Sequence, residues 1–92
     1  MRVGVIGLGR MGLGMGTRLA RRGHTVAGHD VLPERREEAL AAGIEWAEDP
    51  AQLVDMLAPP RVVIVMVPAG LPVDSVIAAT APNLTPEDIL ID

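Results

Sequence analysis

Apolar residues in this chain gather into short runs separated by stretches in which they are spaced apart. Val3-Gly4-Val5-Ile6, His24 to His29, Ile44 to Trp46, Val62 to Val67 and Ile89-Leu90-Ile91 have the length and bounding glycines and prolines of strands. Strand and helix patterns alternate, which predicts an α/β fold with a parallel sheet covered by helices. The run Val62-Val63-Ile64-Val65-Met66-Val67 lacks polar alternation, so it is predicted to be buried on both faces at the centre of the sheet.

The segments between strands carry helix signals. Met11, Met15 and Leu19 recur at i, i+4 and i+8, predicting one apolar face on a helix from about Met11 to Arg22. Arg18, Arg21 and Arg22 complement the dipole at its end, and Gly23 supplies a stop. Gly14 and Gly16 each cost such a helix about 0.8–1 kcal/mol relative to alanine. Close approach to a neighbour, or simple tolerance, accounts for them. A second helix has Pro33 in its first turn, carries Glu34-Arg35-Arg36-Glu37-Glu38 as a solvated face and stops near Gly43. Asp49, Pro50 and Gln52 read as N-cap, N1 and N3 of a third helix, which Pro59-Pro60 ends. Pro68-Ala69-Gly70 closes the fourth strand before a helix over Leu71 to Thr80. Pro82 and Thr85-Pro86-Glu87-Asp88 form a turn before the last strand.

The candidate chemistry lies in Gly7-Leu8-Gly9-Arg10-Met11-Gly12, which leads from the first strand into the first helix. Gly7 suits the tight turn, Gly9 lets a pyrophosphate approach bare backbone, and Gly12 lets the helix pack close to the sheet. N–H groups of the first helical turn would face the phosphates. Asp30 follows at the end of the second strand, about 20 residues on, where it can accept hydrogen bonds from a ribose. Together these predict a Rossmann-type doubly wound sheet, truncated after its fifth strand, with residues 1–92 forming one dinucleotide-binding domain. A carboxylate at Asp30 favours NAD and makes NADP less suitable by repelling a 2′-phosphate. Arg35-Arg36 is the competing feature, but it lies beyond Pro33 and is flanked by glutamates. His24 and His29 have no acid or nucleophile partner in sequence and read as structural, with lining of the adenosine side the alternative for His29, and Met11 fits either a nicotinamide contact or the core. Ser75 and Thr80 lack a base.

Composition narrows the alternatives. The 92 residues carry a net charge of −4, no cysteine, no lysine and one aromatic residue, Trp46. Neither a disulfide framework nor a thiolate metal site is possible. A nucleic-acid partner is not expected, for lack of positive charge and of a stacking platform. No run is long enough for a bilayer span and no signal-peptide order opens the chain, so a cytoplasmic protein is expected.

Gly7 to Gly12, Gly23-His24-Thr25-Val26 and Asp30 resemble the N-terminal domain of the β-hydroxyacid dehydrogenases. Ala58 to Gly70 resembles, more narrowly, the decarboxylating 6-phosphogluconate dehydrogenases, and the resemblance runs to Asp92. It implies hydride transfer and decarboxylation of 6-phosphogluconate to ribulose 5-phosphate, in the pentose phosphate pathway. Carried over by position, it assigns Gly7, Gly9 and Gly12 to the pyrophosphate loop and Leu8, Arg10 and Met11 to the cofactor lining, with Met11 on the nicotinamide side. Asp30 falls where NADP-using relatives have Asn-Arg-Thr, and Val67, Pro68 and Ala69 match a loop over the cofactor. Gly14 departs from the asparagine common in relatives.

The family's Gly-Gly-Asn-Ser segment, catalytic lysine and glutamate, and helical catalytic and dimerisation domain would lie beyond Asp92. These residues alone are therefore expected to bind cofactor without turnover, as a piece of a longer enzyme. A sugar-phosphate acid would be a substrate only of that whole. The alternatives are the cofactor domain of a 3-hydroxyisobutyrate-type dehydrogenase and a non-catalytic nucleotide-responsive or assembly module. An exposed sheet edge at Ile89-Leu90-Ile91, or an uncovered apolar face, would favour self-association into a homo-oligomer.

Overall fold

The runs of adjacent apolar residues become strands because each strand can bury side chains on either face of a sheet. In the computed structural model, which describes residues 2–67 and 71–91, these are β1 (Arg2–Ile6), β2 (Thr25–His29), β3 (Glu45–Trp46), β4 (Val62–Val65) and β5 (Ile89–Ile91). They form one sheet in the order β3-β2-β1-β4-β5, with every pairing parallel. Helices α1 (Arg10–Arg21), α2 (Arg35–Ala41), α3 (Pro50–Asp55) and α4 (Leu71–Thr80) connect successive strands, and a 3-10 turn at Ala81–Asn83 precedes β5. This is the α/β doubly wound arrangement that the alternation predicts. Strand order reverses between β1 and β4, which puts a topological switch point between these two strands.

The two faces of the sheet bury separate clusters. Val5 and Val26 join Leu8, Ala39 and Ile44 beneath α1 and α2. Ile6, Ala27 and Val63 join Leu53, Val54 and Leu57 beneath α3. The α3 cap forms as its sequence predicts: the Asp49 carboxylate accepts the Gln52 N–H at 2.8 Å, and Pro50 opens the first turn. The Gln52 amide oxygen accepts the N–H of Glu48, the residue before the cap, at 2.6 Å, which ties the chain entering the helix to its first turn. Gly23 and Gly43 lie just past α1 and α2. The chain closes back there through His24 N–H to Leu19 C=O and Ile44 N–H to Ala39 C=O.

Three expectations are corrected. The buried seam of α1 is Gly12 and Gly16, whereas Met11 is 72% exposed. Of the expected face Leu19 does pack on the cluster, where Leu13 and Ala20 join it in place of the methionines. The reason is proximity: a Cβ at Gly16 would sit 2.6 Å from Ile44 Cδ1, so the helix rides too close to the sheet for larger side chains. Second, α2 starts at Arg35, leaving Pro33 in the preceding turn. Third, β4 is not buried on both faces, because Val63 and Val65 are buried while Val62 and Ile64 are only half-buried. Their face continues across β5 as Ile89 and Ile91, paired in register with Val62 and Ile64 and 54% and 46% exposed. Helices α3 and α4 follow the reversal of strand order and cannot cover the face that α1 and α2 share.

At the amino ends of β4 and β5 the chain is clasped by charge. The Asp88 carboxylate, fully enclosed, accepts N–H bonds from Arg61 at 2.6 Å and Thr85 at 2.8 Å. The Arg61 guanidinium adds an ion pair at 3.0 Å, while its Nε donates to the Val54 and Leu57 carbonyls at the end of α3. Burial would raise the Asp88 pKa. The N–H donors of Thr85 and Arg61, with the guanidinium, outweigh it and hold the pKa down to about 2.

Candidate functional site

The site is built on the carboxyl ends of β1 and β2. Gly7 leaves β1 with φ +99°, a conformation side chains rarely adopt, and a Cβ there would lie 2.6 Å from the Met66 carbonyl oxygen. Its N–H donates to the His29 carbonyl at 2.8 Å, which carries the β1–β2 ladder one step into the loop. Gly12 faces the turn it has just left, and a Cβ on it would collide with the Gly7 carbonyl. These two glycines are thus required by the chain's own geometry.

Gly9 differs. Its φ of −69° suits any residue, and a Cβ there would meet no atom of the described residues beyond its chain neighbours within 4 Å. It is the N-cap of α1, where serine, threonine or aspartate would ordinarily bond the first turn, yet no side chain caps this helix. The first i to i−4 bond runs from Leu13 N–H to Gly9 C=O at 2.8 Å, so the N–H groups of Arg10, Met11 and Gly12 precede the helical ladder. The fold leaves bare backbone and the positive end of a helix facing open space, a cradle that any larger side chain at Gly9 would enter. These residues fit the pyrophosphate of a dinucleotide.

Asp30 sits beside this cradle. One carboxylate oxygen accepts the Leu8 N–H at 2.7 Å and the other accepts the Leu32 N–H at 2.9 Å. The carboxylate thus ties the glycine loop to the end of β2 while keeping lone pairs for a ribose hydroxyl. The Leu8 side chain is fully buried against Gly28 and Ile44, so only its backbone lies at the site. Arg10 and Met11 project outward from the first turn of α1. Val67 is half-buried and packs onto the cluster beneath α3, with Met66 N–H held by the Ile6 carbonyl at 2.7 Å. Pro68 and Ala69 lie outside the described residues.

The adjacent arginines, a single feature in the sequence, part company in space. Arg36 lines a cavity of about 280 Å³ together with Asp30, His29, Val31, Pro33, Trp46 and Glu48. Arg35 turns toward α1 and shares an open groove of about 560 Å³ with Arg10, Arg18 and Arg21. His29 is structural: its Nδ1 bonds the Ala47 carbonyl at 2.9 Å, and its ring tilts against Trp46 at 5.9 Å. Sequence reasoning passed over Val31 and Leu32, which are 80% and 44% exposed beside Asp30 and offer apolar surface to a flat ring. The available signal was two apolar residues directly after the acidic position. Among the described residues no group of acids and histidines could hold a metal ion.

A family model described as the NAD binding domain of 6-phosphogluconate dehydrogenase matches residues 2–92. The NAD(+)-dependent decarboxylating 6-phosphogluconate dehydrogenase of Haloferax volcanii is 40% identical over 92 residues, covering 100% of this chain and 31% of its own length. Among solved structures, Mycobacterium tuberculosis 3-hydroxyisobutyrate dehydrogenase superposes with a TM-score of 0.89 at 30% identity, over 99% of this chain and 30% of that one. Plasmodium falciparum 6-phosphogluconate dehydrogenase, studied with its cofactor NADP+ and its substrate 6-phosphogluconate, gives 0.89 at 26% identity, over 100% of this chain and 21% of that one. The chain thus spans less than a third of the length of these relatives.

Proposed function

Because the chain belongs to the family of the NAD binding domain of 6-phosphogluconate dehydrogenase, we propose that it holds NAD for a decarboxylating dehydrogenase acting on 6-phosphogluconate. Gly9 carries this reading: an uncapped glycine that no described residue requires, at the mouth of a helix whose first N–H groups have no acceptor among the described residues. The N–H groups of Arg10, Met11 and Gly12 would hold the pyrophosphate, and Val31 would flank the adenine. Asp30 would accept from the adenosine ribose, while Met11 would lie on the nicotinamide side. When bound, the cofactor supplies a hydride acceptor.

The preference for NAD over NADP rests on charge. A 2′-phosphate beside Asp30 would meet a carboxylate, and at about 4 Å such repulsion amounts to roughly 1–4 kcal/mol, depending on the dielectric. Arg36 shares the cavity and would soften that repulsion without removing the carboxylate. These residues contain no lysine and correspond to 31% of the length of the Haloferax volcanii relative, so in this reading the rest of a longer enzyme would supply the proton-transfer groups. The decarboxylating reading is favoured over a 3-hydroxyisobutyrate substrate by the resemblance of the Arg61–Gly70 segment.

Isothermal titration with each dinucleotide tests the cofactor assignment. NAD should bind about tenfold or more tighter than NADP. Equal affinities, or tighter NADP, would overturn the assignment to NAD.

A further inference from the structure

We infer that Asp30 is a positioning residue for the phosphate loop, in addition to its place as a ribose acceptor. This rests on the reading that Gly7–Gly12 faces a pyrophosphate, and deepens it. Three observations carry it. The Asp30 carboxylate accepts the Leu8 N–H at 2.7 Å, a charge-assisted bond spanning 22 residues of sequence. Its other oxygen accepts the Leu32 N–H at 2.9 Å, which fixes the carboxylate from behind. The neighbouring Gly7 N–H is held by the His29 carbonyl, so consecutive loop amides are both anchored to the end of β2.

The direction of the Leu8 amide sets the path of the next residue. Leu8 is held at one end by its buried side chain and at the other by Asp30, so Gly9 enters α1 in a single conformation. The first-turn N–H groups then point at one place before any ligand arrives, which lowers the ordering cost of binding. Removing the carboxylate leaves the Leu8 N–H unpaired in a half-buried setting, and the loop regains freedom. Asp30 would therefore act on the phosphates through the backbone, without touching them.

Amide hydrogen exchange on the free chain tests the latch directly. Asp30→Ala should speed exchange at Leu8 about tenfold or more while leaving the amides of α3 unchanged. Asp30→Asn keeps a carbonyl acceptor and should restore much of the Leu8 protection; it also carries the test if the alanine variant does not fold. Titration with ADP and with 2′,3′-dideoxy-ADP, which lacks the ribose hydroxyls, separates the two roles. A latch weakens binding of both ligands in Asp30→Ala, whereas a ribose acceptor alone weakens only ADP. Unchanged Leu8 exchange, or unchanged dideoxy-ADP affinity, would overturn the proposal. Faster Leu8 exchange in a chain that binds neither nucleotide would support the latch and reject the cofactor reading instead.

Discussion

At the scale of single residues, the glycines of the loop divide by what demands them. Gly7 and Gly12 answer to the chain itself, through a positive φ and a collision with carbonyl oxygens. Gly9 answers to nothing among the described residues. Gly9→Ser should leave the free energy of urea unfolding within a few tenths of a kcal/mol of the parent, or raise it slightly by capping α1. The same variant should lose most of its affinity for NAD in titration. A variant that still bound at full strength would show that bare backbone at Gly9 is not used. The glycine spacing and the acid at Asp30 were legible in the sequence because both are local patterns. The bond from Asp30 to Leu8 was not, since it depends on how β1 and β2 lie in register.

At the scale of elements, caps and glycine stops were readable and faces were less so, while α3 ends at Asp55, four residues before the Pro59-Pro60 expected to stop it. Asp49, Pro50 and Gln52 announce the start of α3, and the Asp49 cap forms as the spacing requires, with Gln52 reaching back to Glu48. The apolar face of α1 was misread from its methionines because small residues, not large ones, set the approach of helix to sheet. That same helix contains a position under no such constraint. A Cβ at Gly14 would meet nothing within 4 Å, so Gly14→Ala should stabilise the chain by about 0.8–1 kcal/mol. Gly12→Ala should destabilise it despite the same gain in helix propensity, because the added carbon strikes backbone that cannot turn aside. Thermal unfolding of the two variants, one melting above the parent and one below, checks both signs.

At the scale of the whole molecule, the far end of the sheet supplies a pH-dependent contribution to stability. An aspartate in the unfolded chain titrates near 3.9, whereas Asp88 in the fold is held to about 2. Its contribution is therefore fully present above about pH 4 and is lost as pH falls toward 2. Urea midpoints measured across that window should fall with acidification in the parent and change less in Asp88→Asn, which starts from a lower value. The pairing of Arg61 with Asp88 was not legible in the sequence, because 27 residues separate them and only the β4–β5 register brings them together. The open face at Ile89 and Ile91 was foreseen from the last strand, but its extension to Val62 and Ile64 follows from the reversal of helix placement.

Because every strand runs the same way, the Arg61–Asp88 clasp and the Asp30 latch stand at opposite poles of the sheet. With no shared partners, they should behave as independent modules. The stability losses of Asp88→Asn and Asp30→Ala should sum in the double variant to within about 0.3–0.5 kcal/mol. One pole can then drift in sequence, gaining or losing robustness, while selection for nucleotide choice works on the other.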